Sequence, residues 1–151
     1  VVTARILAQQ LDIPLFGISS LAAVAWDGVK QMPETEGKSI NIAVQMRARR
    51  EQLFGAIYQL VSQKPGLSKK SGFSTDSLDL KELFPDSVIM PEAWEKTLAN
   101  WETSVELIQA EGGLGGTVLS LLELAYLEWK EGKRSLWSEV VPFYGQHPVN
   151  N

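Results

Sequence analysis

Two alternating runs constrain this chain more than any other feature. Ile40, Ile42, Val44 and Met46 alternate with Asn41, Ala43 and Gln45, and a period of two marks a strand with one apolar face. Leu53 to Val61 is a second such run, with Leu53, Gly55 and Ile57 on one side and Phe54, Ala56 and Tyr58 on the other. Arg47 to Glu51 lies between them and makes the turn, so the two runs form an antiparallel pair. An Asn-Gly dipeptide is missing, which predicts a longer or bulged loop rather than a tight turn. Two strands alone are marginal in water, so the flanking segments must supply the rest of a core.

Those segments read mainly as helices. Val1 to Leu11 is built from good helix formers, with Val2, Ile6 and Leu7 grouped and no cap before Val1. The chain is therefore expected to start inside a helix, with sequence upstream of it. Asp12 and Pro14 end that helix, because the residue before a proline avoids the α conformation. Ile13 to Ile18 is a short apolar run that predicts a strand buried on both faces. Ser19 or Ser20 caps a helix carrying Leu21, Ala22, Val24, Ala25 and Trp26, with Gly28 as its expected stop.

Beyond the hairpin, Pro33 to Gly37 and Ser62 to Ser77 read as loops. Leu78 to Phe84 reads as a helical turn and Val88-Ile89-Met90 as a short strand. Pro91 suits the first position of a helix running to about Trp101, with Trp94, Leu98 and Trp101 facing the core. Val105 to Ala110 is a further strand. The loop Glu111–Gly116 leads into a helix from Thr117 to Glu131, stopped by Gly132. Val118, Leu119, Leu121, Leu122, Leu124, Tyr126, Leu127 and Trp129 make that helix apolar almost all round, so it is sandwiched in the core or covered by a partner. Val140 to Tyr144 reads as a short extended tail. The order of elements predicts one α/β domain with a mixed sheet flanked by helices.

Composition sets limits on chemistry. The 151 residues suffice for one domain, and no cysteine is present, which removes disulfides, thiolate catalysis and Cys-based zinc sites. His147 is the single histidine, so a His-rich metal site is excluded. HExxH is absent, and a peptidase needs a nucleophile or a metal site. No apolar run reaches the length of a membrane helix and no signal peptide is visible, which makes a cytoplasmic protein the expectation. Charge is uneven: residues 1–75 hold 9 Lys/Arg and 5 Asp/Glu (net +4), whereas residues 76–151 hold 5 and 13 (net −8).

Three segments in order carry a family resemblance. Ile13-Pro14-Leu15-Phe16-Gly17-Ile18-Ser19-Ser20-Leu21 resembles an IP-L-x-G-[VI]-S-[ST]-L segment. Arg47-Ala48-Arg49-Arg50-Glu51-Gln52 stands where relatives have a D-A-R-x-G-E turn, and matches it at Ala48 and Arg49. Pro142-Phe143-Tyr144 stands where they have a P-x-Y-L-R tail. The chain resembles the C-terminal half of the TsaB (YeaZ-like) family of tRNA threonylcarbamoyladenosine biosynthesis proteins, once classed with glycoprotease-like (M22) peptidases. The resemblance implies an RNase-H-like half of an actin-like ATPase fold spanning residues 1–151, with the N-terminal lobe and its GxFTGxRxG segment outside this sequence.

The same resemblance implies a non-catalytic scaffold that pairs with a TsaD-like transferase subunit, in a system that also has a TsaE-like ATPase. It implies contact with tRNA only through the complex, no membrane, and no cofactor beyond a nucleotide at a complex interface. The pairing helix is the one that corresponds to residues 1–11. Val2, Ile6 and Gln9 share one side of it at helical spacing, with Arg5 beside them; core packing is the alternative use of that side. Without its neighbours this helix exposes apolar surface, which predicts a homodimer, with exchanged elements as one form.

Two further sites are weighed on the residues. Gly112, Gly113, Gly115, Gly116 and Thr117 follow a strand and precede a helix, where backbone N–H groups bind anions; a tight turn that lets helix pack on sheet explains them equally. Arg47, Arg49 and Arg50 suit tRNA phosphates, or a solvated hairpin turn. A small-molecule or nucleotide-binding domain and a glycoprotease-type hydrolase stand as the other function classes. The five tryptophans, Trp26, Trp94, Trp101, Trp129 and Trp137, suit core or interface packing.

Overall fold

A computed structural model describes residues 1–31, 39–62 and 78–143. The expected loops at 33–37 and 63–77, and His147, lie outside the described residues. Helix α1 (Val2–Leu11) ends on Asp12, whose left-handed φ of 52° closes it. Helix α2 (Ser20–Gln31) starts at Ser19, whose Oγ accepts the N–H groups of Leu21 at 3.0 Å and Ala22 at 3.3 Å. Those are two of the four donors a helix start leaves unbonded. Strands β1 (Ile40–Arg47), β2 (Leu53–Ser62) and β3 (Leu78–Ile89) follow, then α3 (Pro91–Ala99) and β4 (Val105–Ala110). A 3₁₀ turn at Leu114–Thr117 leads into α4 (Val118–Lys130).

The sheet is mixed, in the order β3-β2-β1-β4. β1 and β2 pair antiparallel from Ile40↔Leu60 to Arg47↔Leu53. β3 lies antiparallel to β2, so it runs with β1, and α3 carries the chain across to β4, which pairs parallel with β1. One face packs on α2: Leu21, Val24, Ala25 and Trp26 meet Ile42, Val44, Ala56 and Tyr58. The other packs on α3, where Trp94 meets Ala43 and Ile57. The alternation in the sequence is thus satisfied on both faces, and β1 is an internal strand buried from Asn41 to Val44 rather than half-buried.

The structure corrects four expectations. Ile13–Ile18 is not a strand. It is an irregular connector from α1 to α2, half exposed at Ile13 and tied by the Leu15 N–H to the Ser135 carbonyl at 3.2 Å. An apolar run becomes a strand only where a neighbouring strand accepts its hydrogen bonds, and no strand lies beside this one.

Gly28 does not stop α2. A Cβ there would sit 2.3 Å from Ile108 Cδ1, so the glycine lets the helix lie close on β4. Leu78–Phe84 is not helical but the first part of β3. Two register shifts opposite Gly55–Tyr58 insert extra residues into β3, which breaks its alternation and hides the strand in the sequence. Finally, the hairpin turn is tight. Arg50 (φ 55°) and Glu51 (φ 60°) both adopt the left-handed conformation, and the Gln52 N–H reaches the Arg49 carbonyl at 3.3 Å. Positive φ at both central positions is the type I′ pattern that the right-handed twist of two strands favours.

Candidate partner-binding surface

Helix α1 buries a single residue, Ala8. Val2, Ile6, Leu7 and Leu11 are each more than half exposed, with Leu11 at 63 %. Gln9 is exposed beside them, while Arg5 is half-buried with its guanidinium 5.6 Å from the centre of the Trp137 ring. A helix this short is marginal in water, because one turn of nucleation costs more than its few hydrogen bonds return. Core packing, the alternative for this face, is not what the structure shows.

Helix α4 repeats the pattern. Its inner side holds Ser120, Glu123, Leu124 and Leu127 against α2. Glu123 Oε2 accepts the Trp26 indole N–H at 2.7 Å and pairs with Lys30, and Ser120 Oγ donates to Asp27 Oδ1 at 3.2 Å. These polar contacts fix the two helices in register, since an unpaired buried group would be costly. The outer side exposes Val118, Leu119, Leu122, Tyr126 and Trp129. Tyr126 and Trp129 stack at 5.8 Å, with Lys130 over the first ring and Arg134 over the second. This helix is neither sandwiched in the core nor covered by any described residue.

Arg47, Arg49 and Arg50 are all exposed at the tip of the hairpin. None of the three is in an ion pair among the described residues. In the glycine loop, a Cβ on Gly112, Gly113, Gly115 or Gly116 would meet nothing within 4 Å. Only Gly113, with φ 89°, needs its glycine, for the turn into the 3₁₀ segment. Close packing of helix on sheet therefore does not explain the other three. Thr117 Oγ1 donates to the Leu114 carbonyl at 2.8 Å. Trp26 and Trp94 are core residues, whereas Trp129 is exposed.

One cluster escaped the sequence reading. Ser19 Oγ donates to Asp86 Oδ2 at 2.6 Å, and the Tyr58 hydroxyl donates to Asp86 Oδ1 at 2.8 Å. The cluster sits at a cavity of about 610 Å³ walled by Leu21, Met46, Phe54 and Val140. Burial drives the Tyr58 phenol far above its ordinary pKa; the Ser19 hydrogen bond opposes this and the Asp86 charge adds to it. The cluster locks the start of α2 to β2 and β3. Its missing signal was Asp86, which lies in the bulged strand that the sequence disguised. Among the described residues, no three His, Cys, Asp or Glu side chains are grouped to hold a metal ion, and no helix is long and apolar enough to cross a membrane.

Solved structures share this architecture. YeaZ from Pseudomonas aeruginosa superposes with a TM-score of 0.59 at 18% sequence identity, covering 94% of this chain and 64% of that one. A second, an uncharacterized protein with similarity to peptidase YEAZ from Pseudomonas aeruginosa, gives 0.56 at 18% identity, over 95% of this chain and 64% of that one. At such identity the likeness is one of fold: an α/β domain with a four-stranded mixed sheet flanked by helices. The chain spans 64% of the length of the solved structures it matches. No family model matches the sequence, and no curated protein matches it.

Proposed function

We propose that this chain is a non-catalytic scaffold in tRNA threonylcarbamoyladenosine modification, corresponding to the second lobe of the TsaB fold and held by a TsaD-like transferase subunit. The observation that carries the proposal is α1, a ten-residue helix that buries only Ala8 and presents Val2, Ile6, Leu7 and Leu11 outward. Apolar surface of that kind is covered in a working assembly. Arg5 and Gln9 border it and supply polar contacts at its rim. The YeaZ-like fold supports the choice of system, and the three exposed hairpin arginines would meet tRNA only as part of the complex.

The test is reconstitution with the transferase subunit. Ile6 is 53 % exposed, so docking covers about half of a side chain whose full burial contributes roughly 1.5–3 kcal/mol. Ile6→Asp removes that gain and adds an unpaired carboxylate to the interface, at a further several kcal/mol. Binding measured by titration calorimetry should weaken at least about 100-fold, a change of about 2.7 kcal/mol. Far-ultraviolet circular dichroism should hardly change, because Ile6 is at the surface. Wild-type chain that does not bind the transferase, or an Ile6→Asp variant that binds as well as wild type, refutes the proposal.

A further inference from the structure

The two edges of the sheet are treated differently. β3 carries Asp79, Lys81, Glu82 and Asp86 together with Pro85 and two register shifts. Charges, proline and bulges of this kind keep an edge from pairing with another chain. β4, with the sequence VELIQA, has no proline, no bulge and one charged residue, Glu106. It is bonded to β1 along one side, and among the described residues no backbone group bonds it on the other. Alternate residues of β4 thus turn unused N–H and C=O groups outward, because a parallel strand bonds its neighbour with every second residue.

The faces of β4 agree with an unfinished edge. Val105 packs at the border of the Trp94 cluster, and Leu107, two residues on and so on the same face, is 51 % exposed. α3 stops short of it. Gln45 Nε2 donates to Gln109 Oε1 at 2.6 Å, and Gln45 Oε1 accepts the Trp94 indole N–H at 2.6 Å, so this face ends in an amide chain rather than a covering side chain.

We propose that β4 is a docking edge for a second copy of this chain, paired antiparallel about Leu107. A two-fold axis perpendicular to the sheet keeps each face on its own side, which requires opposed residues to differ by an even number in sequence. Centred on Leu107, the pairing sets Leu107 against its own copy, Val105 against Gln109 and Glu106 against Ile108. The exposed leucines cover each other, and the two Glu106 carboxylates stand two residues apart along the strand rather than face to face. The result is one continuous eight-stranded sheet. Six residues of pairing bury less than the ~1,200 Å² of a standard interface, so the dimer is concentration-dependent.

A chain without cysteine makes the test direct. In the proposed pair the two Leu107 Cα atoms lie about 4.5–5.5 Å apart, within the ~4.4–6.8 Å that a disulfide spans. The two Glu106 Cα atoms lie roughly 8 Å apart, beyond that span. Leu107→Cys should give a disulfide-linked dimer under mild oxidation, and Glu106→Cys should not. Leu107→Lys should raise the dimer dissociation constant at least about tenfold in sedimentation equilibrium, by adding a charge at the edge. A chain that stays monomeric at about 0.5 mM, or cysteines at 106 and 107 that link equally well, overturns the proposal. Leu107→Lys should still bind the transferase and Ile6→Asp should still dimerise through β4, so the two proposals fail separately.

Discussion

Tyr58 gives the sharpest test of the packing. It is 3 % exposed, and its hydroxyl donates to Asp86 at 2.8 Å. At pH 7, Tyr58→Phe removes a hydrogen bond to a charged acceptor and should cost about 1.5–3 kcal/mol. The cost should then shrink with rising pH. Burial raises the pKa of the phenol in the folded protein, while in the unfolded chain it ionises near ~10. Above that pH the folded state holds one more proton than the unfolded state. The stabilisation is therefore complete below the unfolded pKa and declines by about 1.4 kcal/mol per pH unit as pH climbs toward the folded one. By pH 11.5 the loss integrates to about 2 kcal/mol. Urea titrations of wild type and Tyr58→Phe from pH 7 to pH 11.5 isolate this contribution, because every other lysine and tyrosine is common to both proteins. The two stabilities should converge as pH rises. If they fall in parallel, the phenol is not held protonated by its surroundings and the description of the Ser19–Tyr58–Asp86 cluster is wrong.

The hairpin turn and the tryptophan beneath β2 give two more. Arg50 and Glu51 hold a left-handed conformation that L-residues other than Asn and Gly disfavour by about 1–2 kcal/mol each. Arg50→Asn with Glu51→Gly should therefore stabilise the chain by about 1–3 kcal/mol in denaturant melts, and no gain would show that the turn is not of this type. Gly55→Val should cost at least about 1–3 kcal/mol, because even a Cβ there lies 3.1 Å from the Trp94 ring. It should also break the Trp94 contact to Gln45 and red-shift the tryptophan emission; unchanged fluorescence and stability would place Trp94 elsewhere.

The residues themselves made several elements legible. The β1–β2 hairpin followed from alternation and survives intact in the sheet. Ser19 announced the start of α2, Pro91 that of α3 and Gly132 the end of α4, since each acts on backbone groups within one turn of itself. The exposed face of α1 was also readable, because helical spacing groups Val2 and Ile6 whatever surrounds them. The tight turn at Arg50-Glu51 was not, since the strand twist imposes it against the preference of both side chains.

What the sequence determined alone was local: periodicity, caps, breakers, and the lack of any cysteine or histidine cluster on which metal or thiol chemistry could rest. Tertiary structure decided everything that needs a second segment. Ile13–Ile18 is apolar enough for a strand but has no strand beside it to bond with. Gly28 interrupts nothing because β4 sits against it. Asp86 joins Ser19 and Tyr58 only once two bulges have bent β3 toward the start of α2. Hydrogen bonds within a turn are written in neighbouring residues, whereas those between strands and the burial of a face depend on what arrives from elsewhere in the chain.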